Sequence, residues 1–356
     1  MRTNLIRKTP FKNSIGFFDF YKGILIILIP VYHILQLWRG IYIEENYLLP
    51  GMGLLYKITA IMMPTFFVIS GFGFWPSSMK KCIKKQAAQF LLPYLYMALA
   101  SILLVCLKNI IQGRPPFYDV RSYIYGFLLV HMGKTSILDI KLREASTGWF
   151  LWTLFWGWIL LNLICKIKAE KVRNLIVALT AVFGIALTKR PIGIFCIPEC
   201  LQVCVMLYVG YMIKTKKWFY HPMSGRQRMV LGTFSLIFLA FGGANMGESY
   251  WKLGILDFLG SMAGTLLLLK AYTFLVLPDN KVVDCIMTAG RYSLWIMCLH
   301  GIDMLAVNWE NVIVHIVLSV WGSIGIHFLL DILVIVSGCK VLYEMQKIRF
   351  RRKWKQ

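Results

Sequence analysis

Apolar runs of roughly 20 residues, the length a helix needs to cross the hydrocarbon of a bilayer, recur along almost the whole of this chain. They lie at about 15–38, 53–75, 88–108, 148–165, 172–188, 196–213, 229–245, 254–277, 285–306 and 312–342. Only helices and closed barrels satisfy every backbone polar group in lipid, and runs this long favour helices. The expected fold is therefore all-α, a polytopic membrane protein of about ten transmembrane helices forming one domain over 1–356. A further stretch, "YIYGFLLVHM" at 123–132, is too short to span and is expected to re-enter the membrane or lie on its surface. No inverted repeat of the kind many transporters carry is visible.

With 39 Lys and Arg against 16 Asp and Glu, the formal net charge is +23. In a soluble protein such an excess suggests nucleic acid, but here the cations sit between apolar runs. They concentrate at the N-terminus, in 76–88, 166–174 and 214–228, and in the tail 345–356. Connections of the other parity hold fewer, most of them in the long stretch 108–147. The positive-inside rule then places both termini in the cytoplasm and makes the charge an orientation signal and an anchor for anionic lipid, with no nucleic-acid partner. The expected location is the plasma membrane, crossed many times. The first run lacks a small-residue cleavage site and is expected to remain as a signal anchor. Nine cysteines, an odd number lying mostly in apolar segments, are expected to be free and buried.

Within the first run, "FFDFYKGILIILIPVYHI" at 17–34 holds Asp19, Lys22 and His33. His33 stands eleven positions after Lys22. At about 1.5 Å and about 100° per residue, they stand roughly 16 Å apart on the same side of a helix, and Asp19 shares that face. Such a face points into the protein, because lipid would leave a charge or an imidazole unsatisfied. Pro30 removes a backbone donor beside the imidazole. Taken singly, Asp19 and Lys22 also fit an interfacial ion pair, and His33 a packing role. The shared face and spacing favour function.

Lys22, ten intervening residues and His33 resemble the Arg/Lys-x10-His motif of the acyltransferase-3 family, integral membrane proteins that move acyl groups, commonly acetyl, onto sugars of surface polysaccharides. Four further stretches are similar to that family in the same order: "PTFFVISGFGFW" at 64–75, "KKQAAQFLLPYLY" at 84–96, "GWFLWTLF" at 148–155 and "GRYSLWIMCLHGI" at 290–302. The resemblance covers nearly the whole chain. It implies an O-acyltransferase using acyl-coenzyme A, acetyl-coenzyme A first, as donor, with no metal. The acceptor it implies is a hydroxyl of an envelope glycan or lipid-linked sugar. The basic loop departs from the family pattern, with Lys84 and Lys85 where many members carry Arg, which gives point-charge rather than bidentate contacts. Little chain follows the last run, so transfer is expected to be completed by the membrane domain or by a separate partner.

His33 is the candidate base or acyl-accepting group, since imidazole titrates near neutrality. Asp19 and Lys22 are placed at the donor's mouth, with Lys22 meeting phosphate or thioester oxygen. In the run 285–306, Arg291 reaches a depth like that of Lys22, and His300 a depth like that of His33. Arg291, Lys84, Lys85 and Ser70 are candidates for holding coenzyme A, Trp149 for contacting the acceptor, and His300 for assisting His33 or contacting the acceptor. Trp149 also fits an aromatic belt at the membrane surface. Cys196, Cys200 and Cys204 near Glu199 are read as packing thiols rather than metal ligands, and His327 with Asp331 as a structural pair one turn apart. Two other functions remain open: a transporter using the ionisable residues as a relay, and a non-catalytic partner of a polysaccharide assembly system.

Overall fold

The computed structural model describes residues 6–7, 15–42, 52–130, 136–137, 140–189, 194–306, 313 and 322–337. The basic tail 345–356 and much of the run 312–342 lie outside the described residues.

The protein is mostly helical, at 79%. In chain order the helices are α1 (Asp19–Tyr42), α2 (Met52–Phe72), α3 (Met79–Gln86), α4 (Leu92–Ile111), α5 (Val120–Leu128), α6 (Gly148–Ile164) and α7 (Glu170–Leu187). There follow α8 (Ile197–Thr215), α9 (Gly225–Phe241), α10 (Ile255–Tyr272), α11 (Lys281–Arg291), α12 (Ser293–Ala306) and α13 (Gly322–Ser337). A π turn at Ala87–Leu91 carries α3 into α4, so that Met79–Ile111 is one helical stretch of 33 residues. Caps appear where the sequence supplies them. Ser224 and Gln227 close a capping box at the start of α9, and Asn280 Oδ1 accepts from Val283 N at 2.9 Å at the start of α11.

Each of the ten apolar runs holds a helix, but among the described residues length and composition alone qualify four as spans: Ile15–Leu35, Met79–Ile111, Ile197–Thr215 and Ile255–Tyr272. Pairing α11 with α12 makes a fifth. Lys57–Phe72, Gly148–Ile164 and Gly322–Ser337 are apolar but shorter. Within the stretch 123–132, the described residues are the end of the nine-residue α5 and a turn after it. Outward-facing apolar stripes at one-turn spacing, Leu95, Leu99 and Leu103 on α4 or Leu175 and Leu179 on α7, present the surface that lipid covers.

The run 285–306 requires a correction. It is not one helix: the chain turns by 75° between α11 and α12. The exposed Lys281, Asp284 and Thr288 give α11 a polar side, unlike the apolar α12. Gly290 also sits so close to α1 that an added Cβ would stand 1.8 Å from the Asp19 carbonyl oxygen, so α11 follows α1 while α12 turns inward. The crossing of α2 and α8 uses the same device, with Gly71 against the Leu207 carbonyl and Gly210 against that of Val68.

Contacts between helix ends define the polarity of the bundle. The Phe18 ring meets Phe72 and Phe219, each at 5.7 Å, and Tyr272 Oη donates to the Phe17 carbonyl at 2.8 Å. The start of α1 thus shares one end with the ends of α2, α8 and α10. The basic connections gather there. Lys216 pairs with Glu170 at 2.9 Å, and Ser77 and Asn162 exchange two hydrogen bonds of 3.0 Å. We refer to this as the basic end.

Lys270 secures it from inside. Its side chain is buried, and Nζ donates to the carbonyls of Phe219 at 2.9 Å and His221 at 2.7 Å. Lys270→Met leaves those oxygens without their charged donor and is expected to cost about 2 kcal/mol. Thermal unfolding in detergent checks this, and an unchanged melting temperature removes Lys270 as a clamp.

Of eight described cysteines, all free, five are buried, and Cys285 departs from the expectation by lying exposed on α11. Cys339 lies outside the described residues.

Candidate active site

At the basic end, Asp19 opens α1, where the helix dipole favours a carboxylate. Its two oxygens take one cation each: Oδ1 meets Lys22 Nζ at 2.8 Å, and Oδ2 meets Arg291 Nε at 3.1 Å. Asp19 is buried, whereas the Arg291 side chain is 59% exposed and has donors beyond the one spent on Asp19. The Gly23 and Gly290 contacts bring α11 close enough for this bridge, since Gly23 itself packs on the Ile286 carbonyl. Lys22 and Arg291, distant in sequence, thus stand on one carboxylate.

Other basic-end candidates have separate surroundings. Lys84 and Lys85 are exposed on α3. Ser70 Oγ accepts from Trp158 Nε1 at 3.0 Å, a structural bond that leaves the hydroxyl proton free to donate.

About 16 Å farther along α1, by the helical rise, stands His33. It lines a cavity of about 500 Å³ at the end of the bundle opposite the basic one. The walls come from the first half of α2 (Thr59, Ala60, Met63), the segment entering α6 (Glu144, Ser146, Trp149) and the loop between α9 and α10, including Asn245 and Glu248. Among the described lining residues are two carboxylates and no Lys or Arg. Trp149 corrects the aromatic-belt reading: it is 8% exposed and faces this cavity rather than lipid.

The His300 ring lies beside that of His33, centroid to centroid 5.5 Å and tilted by 34°. α12 brings it there, held by Thr147 Oγ1 donating to the Met297 carbonyl at 3.0 Å. His300 is fully enclosed, and its Nδ1 lies 3.2 Å from Oδ1 of Asp331 on α13. The sequence reading paired Asp331 with His327 on its own helix and missed this partner, because the separation of 31 residues carries no periodic signal. The loop residues of the cavity were missed for the same reason. The candidate ionisable side chains therefore form two groups, Asp19–Lys22–Arg291 at the basic end and His33–His300–Asp331 near the cavity, the latter with His327 also within electrostatic reach of Asp331 and His300, and α1 connects the two.

Cys196, just before α8, and Cys200, Cys204 and Glu199 on it are all buried, but among the described residues no three His, Cys, Asp or Glu side chains converge as metal ligands would.

A family model described as acyltransferase domain, that of acyltransferase-3, matches residues 15–341. No curated protein and no solved structure matches the chain.

Proposed function

The chain belongs to the acyltransferase-3 family and is a membrane acyltransferase, and from that premise we propose that it carries an acyl group, acetyl first, from cytoplasmic acyl-coenzyme A to a hydroxyl of an envelope polysaccharide or lipid-linked sugar. The observation that supports this most is the division of labour along α1. Cations suited to an anionic donor stand at the start of the helix, and an imidazole beside a cavity stands about three turns farther along it. On this reading the basic end faces the cytoplasm of a plasma-membrane protein, in keeping with the positive-inside rule.

Lys22 and Arg291 hold the phosphates of coenzyme A, with Asp19 orienting both, and Lys84, Lys85 and the Ser70 hydroxyl extend the donor surface. The thioester reaches along α1 toward His33. In the cavity, Trp149 offers an aromatic face to a sugar ring, while His300, enclosed beside His33, assists through that imidazole rather than by touching the acceptor. His33 takes the proton of the acceptor hydroxyl as its oxygen attacks the thioester carbon, and the C–S bond then breaks to leave the ester and the thiol.

Mass spectrometry of envelope glycans with and without the gene tests the reading, because the mass difference reports both acyl group and acceptor. Purified protein in detergent is expected to bind coenzyme A and consume thioester. Solute flux in liposomes with no thioester consumed would instead assign a transporter. Removing one charge-assisted contact of about 1.5–3 kcal/mol by Lys22→Met is expected to raise KM for acyl-coenzyme A roughly 10-fold or more, a shift that steady-state kinetics measures directly.

A further inference from the structure

Two atoms next to the cavity lack an explanation in the roles assigned so far. His300 Nε2 and Asp331 Oδ2 are buried polar atoms with no hydrogen-bond partner among the described residues. The residues that bear them are 2% and 1% exposed. A buried polar atom left bare costs about 1–3 kcal/mol, so a bare one that persists calls for a reason.

The chemistry of the pair supplies it. Asp331 Oδ1 lies 3.2 Å from His300 Nδ1. An ionised carboxylate only accepts hydrogen bonds, so the bond exists only if Nδ1 carries the proton. The neutral ring then has its lone pair on Nε2, the bare atom. That ring stands 5.5 Å, centroid to centroid, from His33, which lines the cavity. A proton can pass between imidazoles this close with at most one water between them.

We infer that Asp331 is a positioning residue that fixes His300 in its Nδ1–H form, so that Nε2 receives the proton His33 takes from the acceptor hydroxyl. The inference rests on the reading of His33 as the base. The step balances. The hydroxyl proton moves to His33 and on to His300 Nε2, while the hydroxyl oxygen bonds to the thioester carbon and the C–S electron pair leaves on sulfur. The imidazolium formed at His300 is held against the Asp331 carboxylate, and the proton returns through His33 to the thiolate. His33 is thereby freed of the proton while the tetrahedral intermediate collapses. Asp331 has a partner role like that of any carboxylate behind a catalytic imidazole, in setting tautomer and orientation and stabilising the cation.

The test uses the full-length protein in detergent with 15N-labelled histidine. Wild type is expected to show His300 as the Nδ1–H tautomer, with the signal assigned by its loss in His300→Asn. Asp331→Asn is expected to shift that signal toward the Nε2–H form and to lower kcat roughly 100-fold with KM for acyl-coenzyme A unchanged, and Asp331→Glu to restore part of kcat. A purely structural Asp331 would move the melting temperature without moving the tautomer. His300→Asn keeps an amide N–H for Asp331 but has no counterpart of Nε2, and is expected to lose kcat as severely. It also stands as the test should Asp331→Asn fail to fold. Full kcat in either variant, or an unmoved tautomer in Asp331→Asn, overturns the inference. Full activity in His33→Ala would instead overturn the reading of the base, while the tautomer measurement still judges the His300–Asp331 pair by itself.

Discussion

His33→Ala is expected to lose acyl transfer by roughly 10³-fold, with the loss in kcat and coenzyme A binding unchanged. The expectation follows from where the side chain stands. It lines the cavity, about 16 Å by helical rise from Lys22, so its removal leaves the donor cations untouched. Its ring is also the one that joins the cavity to His300. Alanine removes the base, leaves a space that water fills, and disconnects whatever lies behind it. The measurement pairs steady-state kinetics with a coenzyme A binding isotherm on the same preparation. Wild-type turnover would remove His33 from the chemistry, whereas lost binding would mean that α1 had been disturbed as a whole.

Gly290→Val is expected to be the most damaging single change away from the cavity. The first carbon of any side chain there would stand 1.8 Å from the Asp19 carbonyl oxygen and 2.9 Å from the Gly23 nitrogen, both backbone atoms that cannot rotate away. α11 must lift off α1, and overpacking of this kind costs about 3 kcal/mol or more. A fall of roughly 5–10 °C in apparent melting temperature is the corresponding reading. Arg291 moves with α11, so donor affinity falls too. Gly232→Ala on α9, where nothing lies within 4 Å of the new carbon, is the control and is expected to leave both measurements in place. Equal stability in Gly290→Val and Gly232→Ala would show that the α1–α11 contact is dispensable.

Much of this was legible along the chain. Apolar runs located the long helices, since burial in lipid or core requires them, but not α3, which lies in the basic connection 76–88. The spacing of Asp19, Lys22 and His33 put them on one face, because both rise and rotation are properties of any α-helix. The common depths of Arg291 and Lys22, and of His300 and His33, follow from counting residues from helix ends, and the structure brings each pair together. What counting does not contain is the corner after Arg291. It depends on which neighbour each half of the segment packs against, and no proline marks it. The Asp331 partner was hidden in the same way, as was the Trp158 bond that occupies Ser70, because lateral contacts between distant helices leave no periodic trace. Loops wall much of the cavity, and their path is set by the helices they join.

The corner has a mechanical consequence. A straight helix resists compression along its axis, because each displaced turn pushes on the next, whereas a 75° bend converts a push into rotation at the joint. Force applied at Arg291 therefore does not travel down its own chain to His300. It passes sideways at the Asp19 bridge into α1, which continues past His33 with Pro30, one turn before it, as the single gap in its backbone donors. α1 thus links the two ends of the molecule, while α12 is anchored separately, by Thr147 Oγ1 on the Met297 carbonyl.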